Sequence, residues 1–272
     1  MAVFRKVGPQ GFFASHPVFT REQFGEFLGP RLTPAGLTAR LSYYSRTGCI
    51  RSIARSVYAV VPYGRSPDSV KPDPFLVASA LRPDAIFSHH SALELLGAAH
   101  SVWSMCTVFS AGTRLALDLN GSEIRTAPHP RSLADANELL LGVHTMEWRG
   151  VMLRTTGPER TLVEGFRQPH LAGGTEELVV SASGFPTIDL PLLMRILDLY
   201  SIQRLHAAVG WFLETHASAF GVTEGHLAAI EHRRPHSPQY LVRTSRGGRL
   251  VPRWNLVLPP GVGKDGTDAG EP

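Results

Sequence analysis

Three groups of residues have types and spacing that could do chemistry. Ser88-His89-His90-Ser91 sets hydroxyls beside imidazoles, the pairing that activates a nucleophile in hydrolases. Glu176-Glu177 offers adjacent carboxylates, and His226, His232 and His236 form the best-spaced metal trio among the 12 histidines. Each group has a simpler reading. The first precedes an apolar run and reads as the start of a helix capped at Ser88 or Ser91. Adjacent glutamates on a helix or strand point apart and cannot share a substrate. Pro235 breaks the helix that would align the three histidines, and no cysteine lies nearby. The chain has no Gly-rich phosphate loop, no Gly-x-Ser-x-Gly elbow and no His-Glu-x-x-His helix. No catalytic residue, metal or cofactor is therefore expected.

Arginine is a fourth group, and its chemistry is recognition. Residues 1–65 hold nine basic side chains, eight of them arginine, against Glu22 and Glu26. The other 207 residues hold 18 basic and 21 acidic side chains, so the net charge of +4 is concentrated at one end. The planar guanidinium fork suits phosphate oxygens and guanine edges, which points to nucleic acid.

The elements that must position these arginines can be read from caps and periodicity. Thr20 and Gln23 form a capping box, bracketed by Phe19 and Phe24 as a hydrophobic staple, and Gly29-Pro30 ends that helix. Thr33-Pro34 opens a second helix running to Arg46, with Leu37, Leu41 and Tyr44 on its core stripe. Its outward face carries Ala35, Ala39, Ser42, Tyr43 and Arg46, small at first and then polar, as entry into a major groove about 12 Å wide requires. After Gly48, two alternating runs around Ala54-Arg55-Ser56 predict a β-hairpin with Arg51 and Arg55 at its tip. Helix, helix, hairpin is the order of a winged helix-turn-helix. The expected DNA contacts are Thr38, Arg40, Ser42, Tyr43, Arg46, Arg51 and Arg55.

The turn-rich residues 65–72 predict a linker between this winged helix (1–64) and a larger mixed α+β domain (73–259), with a disordered tail at 260–272. In the larger domain the pattern predicts helices at 74–81, 91–96, 190–199 and 202–216, strands at 85–87, 102–109, 115–124 and 151–154, and a turn at Asn120-Gly121. Thr156 or Thr161 is expected to open a helix holding Leu162, Val163 and Phe166, and Gly173-Gly174 to take positive backbone angles ahead of a helix begun by Glu176 and Glu177. A final strand pair, 240–243 and 250–258, is expected to be joined by Arg246-Gly247-Gly248-Arg249.

Two sets of strings carry a family resemblance. Pro17-Val18-Phe19-Thr20, Leu41-Ser42-Tyr43-Tyr44-Ser45-Arg46-Thr47-Gly48-Cys49-Ile50-Arg51 and Val57-Tyr58-Ala59-Val60-Val61-Pro62 resemble the N-terminal domain of AbiEi-type antitoxins. His90-Ser91-Ala92-Leu93-Glu94, Glu159-Arg160-Thr161-Leu162-Val163-Glu164, Gly173-Gly174-Thr175-Glu176-Glu177, Gly210-Trp211-Phe212-Leu213-Glu214 and Trp254-Asn255-Leu256-Val257 are similar, in order and spacing, to the domain that follows it there. The chain departs from the pattern at Ala54-Arg55-Ser56, where relatives place a glycine, and at Glu164, where they place aspartate. The resemblance implies a type IV antitoxin that represses its own promoter and counteracts a nucleotidyltransferase-like toxin. Glu164, Glu176 and Glu177 are the candidate partner-contact or regulatory residues.

Two other function classes compete with this reading. A DNA-directed nuclease or transferase would need clustered carboxylates near a lysine, yet beyond residue 65 the lysines are Lys71 and Lys264 alone. An interaction adaptor would leave the basic end without a task. No apolar run approaches membrane-spanning length and the N-terminus lacks a signal-peptide pattern, so a cytoplasmic protein without a membrane partner is expected.

Overall fold

The computed structural model describes residues 8–242 and 247–263. Arg5, Lys6, Arg243, Arg246 and the predicted tail beyond Gly263 lie outside the described residues. The fold is mixed α+β, as the sequence pattern predicts.

The N-terminal part runs α1 (Pro9–Ser15), β1 (Val18–Thr20), α2 (Arg21–Leu28), α3 (Pro34–Arg46), β2 (Ile50–Ala54) and β3 (Val57–Val60). The helix–helix–hairpin order is present, with α1 and β1 in addition. Both helix caps are as expected: Thr20 and Gln23 bond reciprocally at 2.7 and 3.2 Å, and Thr33 Oγ1 accepts from the Gly36 amide at 3.1 Å. The three strands pair antiparallel in the order β1-β3-β2. Alternation gives this small sheet two buried faces. Phe19 and Tyr58 face an aromatic cluster with Phe12, Phe13 and Phe24, while Val18, Val57 and Ala59 face the rest of the molecule.

The larger part follows with α4 (Pro74–Leu81), β4 (Ile86–Phe87), α5 (His90–Leu95), β5 (Met105–Phe109), β6 (Ala116–Asp118), β7 (Glu123–Ala127), α6 (Arg131–Asp135), β8 (Val143–Trp148), β9 (Val151–Thr156) and α7 (Pro158–Arg167). It continues through α8 (Thr175–Ser183), α9 (Leu190–Tyr200), α10 (Gln203–Thr215) and α11 (Glu224–Glu231) to β10 (Gln239–Tyr240), β11 (Arg249–Val251) and β12 (Leu256–Leu258). A six-stranded mixed sheet, ordered β6-β7-β5-β4-β9-β8, forms its centre. Phe87, Val108 and Leu153 on one face join Phe75 and Leu76 of α4, and this same apolar cluster takes in Val18, Val57 and Ala59. A second core gathers α7, α8, α9 and α10 around Phe166, Phe212 and the fully buried Trp254. Gly210 is required where Trp254 crosses α10, since a Cβ there would lie 2.2 Å from the indole ring.

Several expectations are corrected. The helix after β4 has His89, not a serine, at its N-cap, with φ +56° and no side-chain cap. Gly157 and Pro158 start α7; the Thr156 and Thr161 hydroxyls instead bond to each other at 2.7 Å inside the core. β10 and β12 pair parallel, because β11 intervenes as the antiparallel partner of β12, so the predicted terminal strand pair is not a hairpin. Residues 260–263 turn back, and Val262 is buried in the second core rather than belonging to a loose tail.

Candidate nucleic-acid interface

Helix α3 exposes the face that the periodicity assigns to solvent. Leu41 is buried and Tyr44 packs edge-on against Phe13, which turns Thr38, Ala39, Arg40, Ser42, Tyr43 and Arg46 outward. Tyr43 keeps 53% of its surface exposed although it stacks edge-to-face on Tyr44, so its ring and hydroxyl are presented to solvent. Thr38 is less available than its exposure suggests. Its hydroxyl donates to Pro34 O at 2.9 Å and accepts from Arg21 Nη2 at 2.8 Å.

Arg21 is the residue that sequence reasoning missed. Its backbone amide donates to Ser56 O at 2.8 Å and its guanidinium also reaches Pro34 O, so one residue ties the start of α2 to the hairpin tip and the start of α3. Its place directly after the Thr20 cap was the available signal. Arg31, exposed just before α3, was counted in the charge but given no role.

The hairpin brings Arg55 to the tip, where it is exposed, and Ser56 beside it takes φ +62°. Arg51 is not at the tip. It lies opposite Ala59 near the other end of β2, and its Nη1 donates to Pro67 O and Val70 O at 3.3 and 3.4 Å. It thereby anchors the predicted linker, whose residues Pro67–Ser69 form a single 3-10 turn, rather than reaching outward.

Among the described residues, Arg31, Arg40, Arg46, Arg55 and Arg65 form no ion pair; every ion pair lies between residues 73 and 253. An arginine with no carboxylate nearby leaves its charge available to a polyanion.

In the larger part, the expected carboxylates separate. Glu164 is fully buried, accepts from Tyr200 Oη and from Arg167 at 3.2 Å, and lies 3.8 Å from Arg160 Nε. It therefore cannot touch a partner. Burial pushes its carboxyl upward, opposed by Tyr200 and the two arginines. Glu177 accepts from Ser181 Oγ at 2.7 Å and from the amides of His100 and Ser101, clamping that loop to α8. Partial burial raises its carboxyl, but the hydrogen bonds from Ser181 and Ser101, with His90 nearby, outweigh it and hold the group at about 2. Glu176 is exposed. Gly173 and Gly174 take φ +82° and +101° ahead of α8, as expected.

Ser88 Oγ and His89 Nδ1 are 2.9 Å apart, but both residues are completely buried. Burial, then Arg167 and His170, push the His89 imidazole down to about 3, so it is neutral at physiological pH. His226 accepts from the Thr223 amide as part of a capping box, which removes it from the trio. Among the described residues, no three His, Cys, Asp or Glu side chains are grouped to hold a metal, and no helix is long and apolar enough to cross a membrane.

No protein-family model matches this chain, and no curated protein sequence matches it either. The crystal structure of the RV2827C protein from Mycobacterium tuberculosis is similar in fold, with a TM-score of 0.58 at 17% identity, over 92% of this chain and 89% of that one.

Proposed function

We propose that this chain is a sequence-specific DNA-binding transcriptional regulator whose N-terminal part, residues 8–62, acts as a winged helix-turn-helix. On this reading α3 enters the major groove, with Ser42, Tyr43 and Arg46 toward base edges and Arg40 toward the flanking phosphate. Arg55 at the hairpin tip takes the adjacent backbone. The observation that carries it is the set of exposed arginines with no carboxylate partner among the described residues, on and around a helix whose outer face is small at its start and polar at its end. The larger domain then binds or positions rather than catalyses. Together with the AbiEi resemblance, this supports an autoregulating type IV antitoxin paired with a nucleotidyltransferase-like toxin, its operator lying in its own promoter.

The test is binding of the purified chain to duplexes from its own upstream region and to scrambled duplexes, compared with the Arg46→Ala variant. Loss of discrimination between the two duplexes in that variant supports base reading by α3. Equal affinity of the intact chain for both would contradict sequence-specific regulation.

A further inference from the structure

A second exposed segment borders the end of α3. After β3 the chain makes a tight turn, Pro62-Tyr63-Gly64-Arg65, closed by the Arg65 amide donating to Pro62 O at 3.0 Å. Gly64 has φ +78°, as a type II turn requires at its third position. The chain on either side of this turn is fixed to residues that follow α3. Before it, the Val61 amide donates to Cys49 O at 2.9 Å. After it, Pro67 O accepts from Arg51 Nη1, and the Pro67 ring lies 3.7 Å from where a Cβ on Gly48 would be. The turn is thereby held beside the last turn of α3, where Arg46 is exposed. Tyr63 is fully exposed and makes no ring contact or hydrogen bond through its side chain among the described residues. Arg65 is exposed without an ion pair, and the nearest carboxylate along the chain, Asp68, pairs with no arginine either. A single exposed ring would need no explanation. This one stands on a fixed turn with a charge-unanswered arginine two residues on and another at the adjoining helix end. The hairpin tip lies at the opposite end of α3, since Arg21 donates to Ser56 O through its amide and to Pro34 O through its guanidinium. Arg55 and Arg65 therefore flank the two ends of a 13-residue helix. Such a helix is about 20 Å long, more than the roughly 12 Å width of the major groove, so the two arginines fall on different backbone segments.

We propose that the turn 62–65 is a second backbone contact for duplex DNA, with Arg65 on a phosphate and the Tyr63 ring against the adjoining deoxyribose, on the flank opposite that of Arg55. The inference rests on α3 being the helix that reads DNA, and assigns to that interface a contact outside the helix-turn-helix and its hairpin. The guanidinium fork matches phosphate oxygens, and a tyrosine offers an apolar face to the sugar with a hydroxyl for the next phosphate. The ring alone would suit a protein partner equally well; arginines without carboxylates on both sides of it select a polyanion.

The experiment is titration and hydroxyl-radical footprinting of the full chain on a duplex from its own upstream region and on a scrambled duplex. Arg65→Ala should weaken both duplexes alike by about fivefold or more and take about 0.9 from the slope of log K against log salt, as for one lost phosphate. It should also lose protection on one flank of the footprint, and Arg55→Ala on the other. Arg65→Lys should keep the slope, because a phosphate contact needs the charge more than the fork. Tyr63→Ala should weaken both duplexes by about threefold with the slope unchanged, since it removes packing and no charge. All these variants should unfold at the same denaturant concentration as the parent, their side chains having no partner to lose. The proposal is overturned if the parent protects DNA while Arg65→Ala and Tyr63→Ala leave affinity and footprint unchanged. It is also overturned if Arg65→Ala and Arg55→Ala lose the same flank, or if Arg65→Lys loses the slope as Arg65→Ala does. Each of these outcomes leaves the reading of α3 intact. A parent that binds neither duplex would instead overturn that reading, and this contact with it.

Discussion

The N-terminal part and the larger domain differ in whether arginines meet carboxylates: among the described residues those of the first form no ion pair, whereas many of the second do, Arg82 and Arg154 bonding backbone carbonyls instead. In the larger domain Arg253 meets Glu214, Glu224 and Glu231, Arg195 meets Glu138, Arg233 meets Asp198, and Arg160 and Arg167 close on Glu164. In the N-terminal part Arg21 and Arg51 bond to neutral oxygens, and Arg31, Arg40, Arg46, Arg55 and Arg65 form no ion pair among the described residues. The same side chain thus organises structure where carboxylates are supplied and remains available for a ligand where they are withheld. The difference predicts that arginine chemistry supports stability in one region and binding in the other.

The largest expected effect is on the structural side. Glu164→Ala leaves Arg160 buried without its carboxylate and should cost about 3 to 5 kcal/mol of stability, measured by denaturant unfolding. A loss under about 1 kcal/mol would break the comparison at its structural end.

Acid should act in the same region. His89 is neutral when folded, with its proton affinity pushed down to about 3 from an ordinary 6.5. Between those values the unfolded chain binds a proton that the folded chain does not, so stability should fall as pH drops below 6.5, by up to about 1.4 kcal/mol per pH unit. Glu177, held at about 2 against an ordinary 4.5, adds a further loss below 4.5. His89→Gln should lessen the slope of stability between pH 6.5 and 4.5, leaving the part due to His129 and His206, which burial also pushes down; an unchanged slope would show that His89 is not the buried neutral group described.

Binding effects come next. Arg46→Ala should weaken operator binding by about 1 to 3 kcal/mol. Its unfolding free energy should stay within about 0.5 kcal/mol of the parent, as for an exposed side chain without partners. A footprint unchanged in this variant would remove Arg46 from the interface. Smallest is the cap: Thr33→Ala should cost about 1 kcal/mol by freeing the Gly36 amide, read in the same unfolding experiment.

How far the sequence shows this division depends on how local each signal is. The capping box at Thr20, the span of α3 from Pro34 to Arg46 and the Asn120-Gly121 turn are legible because they rest on contacts within a few residues. The surplus of nine basic over two acidic side chains in residues 1–65 is legible by counting. Non-local features are not. The pairing of β10 with β12 rather than with the next strand depends on β11 being inserted. The inward turn of Arg51 depends on where Pro67 and Val70 pass, which no spacing within the hairpin reports. Glu164 looked available because nothing in Thr-Leu-Val-Glu shows that Tyr200, on a later helix, closes over it. Helix α1 was legible in principle, from Pro9 at its first position and the Phe12-Phe13 pair that packs on Phe19 and Phe24.

The unpaired N-terminal arginines are tested most directly by the salt dependence of binding to duplex DNA, for the parent and for Arg46→Ala, Arg55→Ala and Arg253→Ala. Each phosphate engaged contributes about −0.9 to the slope of log K against log salt. The parent should show a steep negative slope. The Arg55→Ala variant, and Arg46→Ala if that residue holds phosphate, should lose about one unit of it. Arg253→Ala, whose charge is already met by three glutamates, should leave the slope unchanged. A slope near zero for the parent, or an equal reduction in all three variants, would contradict the division.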